Sequence, residues 1–128
     1  MGQVSSPLRI LVVDDNVDAA DLIAECIAMY GHEVSVAYGG KEAVAQAELF
    51  APNLIFLDIG MPEMDGYQVA MTLRHAAWFP ATRIVALTAW GDAVSRARAV
   101  SCGFDAHLVK PANLESLIKE ADLARTDA

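Results

Sequence analysis

The sequence predicts an α/β fold: a single doubly wound, five-stranded parallel sheet with five helices covering its two faces. Three observations lead there. Five short apolar runs alternate with five helical patterns along the chain. The third run, Leu54-Ile55-Phe56-Leu57, is apolar at every position, as expected for a strand buried on both faces. Polar residues suited to one reaction follow four of these runs, at the strand ends where open parallel sheets hold their ligands.

The elements follow in order. Leu8 to Val13 is the first strand and ends in Asp14-Asp15-Asn16. A helix follows, with Leu22, Ile23, Cys26, Ile27 and Tyr30 spaced as one buried stripe. Gly31 is placed to close it in the left-handed conformation. Val34 to Ala37 is a short second strand whose partial alternation suits a sheet edge. After the Gly39-Gly40 break, Lys41 to Phe50 is an Ala-rich helix stopped before Pro52. The third strand runs into Asp58 and a Gly/Pro-punctuated loop. Asp65 then caps a helix through about Arg74, with Val69, Ala70 and Leu73 inward. Trp78-Phe79-Pro80 is a loop. Arg83 to Leu87 is the fourth strand, ending in Thr88-Ala89-Trp90-Gly91. Asp92 to Ser101, closed by Gly103, has the weakest amphipathic stripe. Ala106 to Val109 is the fifth strand and ends in Lys110-Pro111. Asn113 caps the last helix, with Leu114, Leu117, Ile118 and Ala121 facing inward.

Length and composition set limits. The 128 residues suffice for one domain with a buried core. That domain spans residues 8–124, with a polar lead-in at 1–7 and a tail at 125–128. Apolar residues make up 55% and charged ones 20%, which separates the chain from disordered sequences. No apolar stretch approaches the roughly 20 residues that cross a bilayer, and no signal pattern opens the chain. Cys26 and Cys102 lack metal-ligand spacing and read as small buried hydrophobes in a reducing compartment, here the cytoplasm. The net charge of −8, without any run of Lys or Arg, argues against direct nucleic-acid binding.

The polar strand ends form a constellation. In the strand order 2-1-3-4-5, Asp14, Asp15, Asp58, Thr88 and Lys110 lie along one edge, at the crevice between strands one and three. Three carboxylates there repel one another in a partly desolvated site. A hard divalent cation resolves that conflict, and Mg²⁺ suits the oxygen-only donor set. No His/Cys set of the kind zinc favours is present. A carboxylate beside such a metal can take a phosphoryl group, with Lys110 and Thr88 supplying a cation and a hydroxyl donor to its oxygens.

Val12-Val13-Asp14-Asp15-Asn16, Leu57 to Gly66 (Leu-Asp-Ile-Gly-Met-Pro-Glu-Met-Asp-Gly), Ala86-Leu87-Thr88-Ala89 and Val109-Lys110-Pro111 resemble the signature segments of response-regulator receiver domains over roughly residues 8–124. The resemblance implies a flavodoxin-like sheet and a role in two-component phosphorelay signalling. It makes Asp58 the phosphoacceptor, charged by a histidine kinase or histidine phosphotransfer protein. Asp14, Asp15, Asp58 and the Gly60 carbonyl would hold Mg²⁺. Thr88 and Lys110 would read the phosphate, and the Lys110-Pro111 bond would be cis. Kinase docking is expected near Asn16 to Ala20 and Pro111. Output is expected through the face of the fourth helix, fifth strand and last helix.

Two positions depart from the family pattern or modify it. His107 stands where receivers usually carry a Tyr or Phe switch. It is either a partly packed strand residue or a smaller switch that follows Thr88 and responds to pH near 6.5. Gly60 and Trp90 occupy positions that influence phosphoryl lifetime in the family. Trp90 either shields the site from water or simply covers the neighbouring helix. Met61, Met64 and Met71 are expected as packing residues, and His32 and His75 as solvated surface positions.

The chain reads as a signalling module with no turnover of outside substrates, either a stand-alone regulator, a phosphate relay, or the receiver of a hybrid sensor kinase. A Mg²⁺-dependent phosphatase would usually carry a second Asp at the position of Gly60. A flavin carrier would need a phosphate-cradling loop in place of Asp14-Asp15.

Overall fold

A computed structural model describes residues 7–79, 81–89, 91 and 93–127, with side chains through Arg125. The elements are β1 Arg9–Val13, α1 Val17–Ala28, β2 Glu33–Ala37, α2 Gly40–Phe50, β3 Leu54–Asp58, α3 Gly66–His75, β4 Arg83–Thr88, α4 Ala93–Cys102, β5 Ala106–Val109 and α5 Leu114–Asp127. All strand pairs are parallel, and the sheet order is β2-β1-β3-β4-β5, as the sequence predicts. The lead-in at 1–6, Pro80, Trp90, Asp92 and Ala128 lie outside the described residues.

Alternation along the strands builds two cores. Leu11, Val13, Ile55, Leu57, Ile84 and Ala86 face α2, α3 and α4. Ile10, Val12, Leu54, Phe56, Val85 and Leu87 face α1 and α5. Because side chains alternate with a period of two, a central strand apolar throughout must feed both layers. β3 does so and is buried along its whole length.

The helix ends match their caps. Asn16 accepts from Ala19 N and starts α1, and Asn113 accepts from Ser116 N at α5. Asp65 and Gln68 form a reciprocal capping box at α3. Gly31 and Gly103 both have positive φ, at 92° and 104°, as expected for residues that follow helices.

Several expected burials are corrected. Leu22 is 62% exposed, because the buried line of α1 runs through Ala20, Ile23, Ala24 and Ile27. Two residues beyond Ala20 is about 200° around the helix, so Leu22 points away from the sheet. Tyr30 and Cys26 are only partly buried. Leu114 is 37% exposed, and the inner line of α5 is Leu117, Ala121 and Ala124. Met61 is buried as a packing residue, whereas Met71 is 40% exposed. His75 is exposed as expected, but His32 is buried and accepts a hydrogen bond from the Leu8 amide at 3.0 Å.

One largely buried ion pair ties α5 to the sheet. Arg83 Nε and Nη2 both lie 3.0 Å from Glu120 Oε1. Glu120→Gln removes the charge while keeping the shape. The expected cost is about 1.5 kcal/mol, the scale of a hydrogen bond to a charged group. Urea denaturation of the two proteins checks it; an unchanged midpoint contradicts a stabilising role.

Candidate phosphoryl-transfer site

Strand register sets the site. Val13 lies beside Leu57, Asp58 beside Leu87, and Thr88 beside Val109. The next residue of β1 is Asp14 and the next of β5 is Lys110, so both arrive at the sheet edge where Asp58 and Thr88 end their strands. Backbone bonds fix those ends. Asp14 N donates to Ala37 O at 3.2 Å, Ile59 N to Leu87 O at 3.0 Å and Lys110 N to Thr88 O at 2.7 Å. The Lys110-Pro111 peptide is cis, in agreement with the expectation.

Asp14, Asp15 and Asp58 each offer a carboxylate oxygen, and these oxygens lie within 4.8 Å of one another. Asp14 and Asp58 are buried, at 0% and 5% exposure, while Asp15 is exposed. Lys110 Nζ stands between the buried two, 2.9 Å from Asp14 Oδ2 and 3.1 Å from Asp58 Oδ1. Asp14 Oδ1 also accepts from Asn16 N at 2.9 Å, and Asp58 Oδ1 from Gly60 N at 3.3 Å. Thr88 is buried at 4% exposure.

These surroundings move the protonation equilibria. Burial pushes the Asp58 carboxyl above its ordinary value of 3.8; the Lys110 contact works against that rise and the Asp14 charge adds to it. Burial alone would lower the Lys110 ammonium, but the Asp14 and Asp58 carboxylates outweigh it and raise the group above 10.5. Both directions describe one arrangement: a cation held by two carboxylates, one of which is expensive to keep ionised.

Of the sequence-predicted residues, Asp14, Asp15, Asp58 and Lys110 are brought together. Gly60 is exposed two residues beyond Asp58, and a Cβ built there would meet no atom within 4 Å. His107 is partly buried in β5 opposite Ala86. Trp90 is among the residues not described.

Gly66 is a contributor to which the sequence reading gave no separate role. A Cβ there would lie 2.5 Å from Asp58 O and 2.7 Å from Ile59 Cα. The first turn of α3 therefore rests directly on the backbone that carries Asp58, a close approach that only glycine permits. The signal was a glycine at the first helical position, immediately after a capping Asp. Glu63, with φ 65°, is a second unusual position of this loop.

The donor set fits Mg²⁺. It consists of hard carboxylate oxygens, one of them exposed to solvent, with no thiolate or imidazole among them.

Comparison with known proteins accounts for this arrangement. The family model described as the response regulator receiver domain matches residues 10–122. The chain belongs to that family. The receiver is 36% identical over 121 residues to a probable transcriptional regulator, ycf27, of Cyanophora paradoxa, covering 89% of this chain and 49% of the relative. It is 35% identical over 117 residues to an uncharacterized 14.6 kDa protein of Leptolyngbya boryana, covering 91% and 89%. Among solved structures, the Vibrio cholerae chemotaxis protein CheY4 matches with a TM-score of 0.87 at 28% identity, covering 93% of this chain and 99% of that one.

The receiver spans about half the length of several curated relatives that it matches. Receiver domains bind Mg²⁺ at an acidic pocket, and the Asp14, Asp15 and Asp58 cluster is an acidic pocket of this kind. The family implies histidine kinase partners. The comparisons do not support the expectation that nucleic acid is no partner, since relatives are named as transcriptional regulators. Among the described residues, no helix is long and apolar enough to cross a membrane.

Proposed function

We propose that this receiver takes a phosphoryl group onto Asp58 from a phosphohistidine of a partner kinase or phosphotransfer protein, and that the modification alters its protein contacts. The supporting observation is the buried Asp58 carboxylate in direct contact with the Lys110 ammonium, grouped with Asp14 and Asp15 at one sheet edge. In the reaction an Asp58 oxygen attacks phosphorus, an O–P bond forms and the P–N bond to the partner's imidazole breaks. The imidazole leaves with the bonding pair. Lys110 and the Gly60 amide both engage Oδ1, which directs attack through Oδ2.

Asp14, Asp15, Asp58 and the Gly60 carbonyl would hold Mg²⁺, which when bound supplies positive charge to the phosphoryl oxygens. Lys110 balances further charge as a point cation, and the Thr88 hydroxyl donates to another phosphoryl oxygen.

Thr88 moving toward the phosphoryl group carries the signal to His107 on β5, which acts as the switch. Output passes through the α4–β5–α5 face, where Val94 and Val109 are 77% and 45% exposed. Gly60 and Trp90 set how long the phosphoryl group survives hydrolysis. Kinase docking uses the start of α1 and the region around Pro111, and a cytoplasmic location goes with that partner. The module turns over no outside substrate. It serves as a stand-alone regulator, a relay, or the receiver of a hybrid kinase.

Incubation with Mg²⁺ and acetyl phosphate, followed by intact mass measurement, tests the reading. The wild type is expected to gain one phosphoryl group and Asp58→Ala none. A mass gain of equal extent in Asp58→Ala would overturn it.

A further inference from the structure

His32 stands apart from the phosphoryl-transfer site, at the turn between α1 and β2. It is buried to 5% exposure. Its Nδ1 accepts the Leu8 amide at 3.0 Å, while Glu33 N donates to Leu8 O at 2.9 Å. The two bonds clasp Leu8 and open the β1–β2 pairing, whose first register pair is Arg9 with Glu33. An Nδ1 that accepts carries no hydrogen, so the neutral ring holds its proton on Nε2. That atom is buried without a hydrogen-bond partner among the described residues.

The ionic groups around the ring are Arg125 and Asp122 of α5. Beside it on the strand starts lies the Arg9–Glu33 pair, held to itself at 3.0 Å. Protonation would put a hydrogen on Nδ1, facing the Leu8 N–H. The clasp bond would be lost, the buried Leu8 amide would have no acceptor, and a cation would be buried near Arg125.

We propose that neutral His32 is an acid-released latch clasping the start of β1 to the start of β2, so that mild acidification loosens that strand pair and, through the core layer they share, the last turns of α5. The α5 end is the part of the output face most exposed to this release, because Ala121 and Ala124 pack in the same core layer as Leu8.

Burial, then Arg125, lower the imidazole from its ordinary 6.5, and Asp122 opposes them. A lowered folded value means that the unfolded chain takes up the proton first. The latch therefore stabilises fully above pH 6.5 and is lost as the pH falls below it, down to the folded value.

The test is urea unfolding from pH 7.5 to 5.5 of the wild type and of His32→Asn, whose amide oxygen can accept the same N–H without titrating. NMR titration of the histidine rings and amide exchange of the wild type accompany it. Between pH 7.5 and 5.5, the wild-type unfolding constant is expected to rise by up to about tenfold more than that of the variant. His32 should remain mostly neutral at pH 6.5, and protection of Leu8 and α5 amides should fall together. Identical pH slopes would overturn the proposal. So would a His32 ring half-protonated at or above pH 6.5, a reading that needs no variant to fold.

Discussion

Replacing Lys110 with Met is expected to slow phosphorylation by acetyl phosphate about a hundredfold, the scale on which one charge-stabilising donor acts at a transition state. The side chain bridges Asp14 and Asp58 at 2.9 and 3.1 Å, so it is already positioned where negative charge develops during transfer. The same substitution should leave Mg²⁺ affinity undiminished or raise it. An ammonium resting on two of the carboxylates competes with the ion for their charge. Rate measurements at saturating Mg²⁺, alongside a calorimetric Mg²⁺ titration, separate the two effects. Loss of Mg²⁺ binding in Lys110→Met would instead mean that the lysine organises the acidic cluster.

Asp58→Asn should invert the stability order with and without metal. In the metal-free protein the substitution removes a carboxylate that burial and Asp14 make costly to ionise. Two unit charges roughly 5 Å apart at an effective dielectric of about 20 repel by about 3 kcal/mol, and Lys110 offsets most of it. A net gain on the order of 1 kcal/mol remains, or a rise in Tm of about 4 °C. The pH dependence has a definite sign. Since the folded value lies above 3.8, the ionised wild-type Asp58 is a cost at neutral pH. Acidification through the folded value relieves that cost, and the advantage of Asp58→Asn over the wild type shrinks accordingly. With Mg²⁺ at a hundred times its Kd, the wild type gains about 2.7 kcal/mol, and the variant, short of one anionic ligand, gains less. Thermal melts of both proteins with Mg²⁺ and with chelator check this, and equal responses to Mg²⁺ would contradict a shared site.

Much of the architecture could be read from local chemistry. Four apolar runs of strand length, each followed by a polar residue, place Asp14, Asp58, Thr88 and Lys110 at one edge once the strands are parallel, and the described sheet has that order. Capping residues worked for the same reason: Asp65 and Asn113 act on amides three residues away. Burial decided by distant elements was not readable. His32 looks like a turn residue until α5, some ninety positions later, brings Asp122 and Arg125 beside it. Leu22 and Leu114 are apolar residues on helical patterns, yet helix rotation relative to the sheet leaves both exposed. The role of Gly66 needs the three-dimensional approach of α3 to the Asp58 backbone, which spacing alone does not reveal.

The proposed phosphoryl transfer turns on one atom group: the Asp58 carboxylate as the sole acceptor, served by the acidic cluster around it. Peptide mapping of the protein after acetyl phosphate treatment, with the acyl phosphate trapped by borohydride reduction, locates the modified residue directly. The predicted result is a single altered peptide carrying Asp58, formed with Mg²⁺ and lost on chelation. Modification at any other carboxylate, or at Asp58 to the same extent without divalent metal, would contradict it.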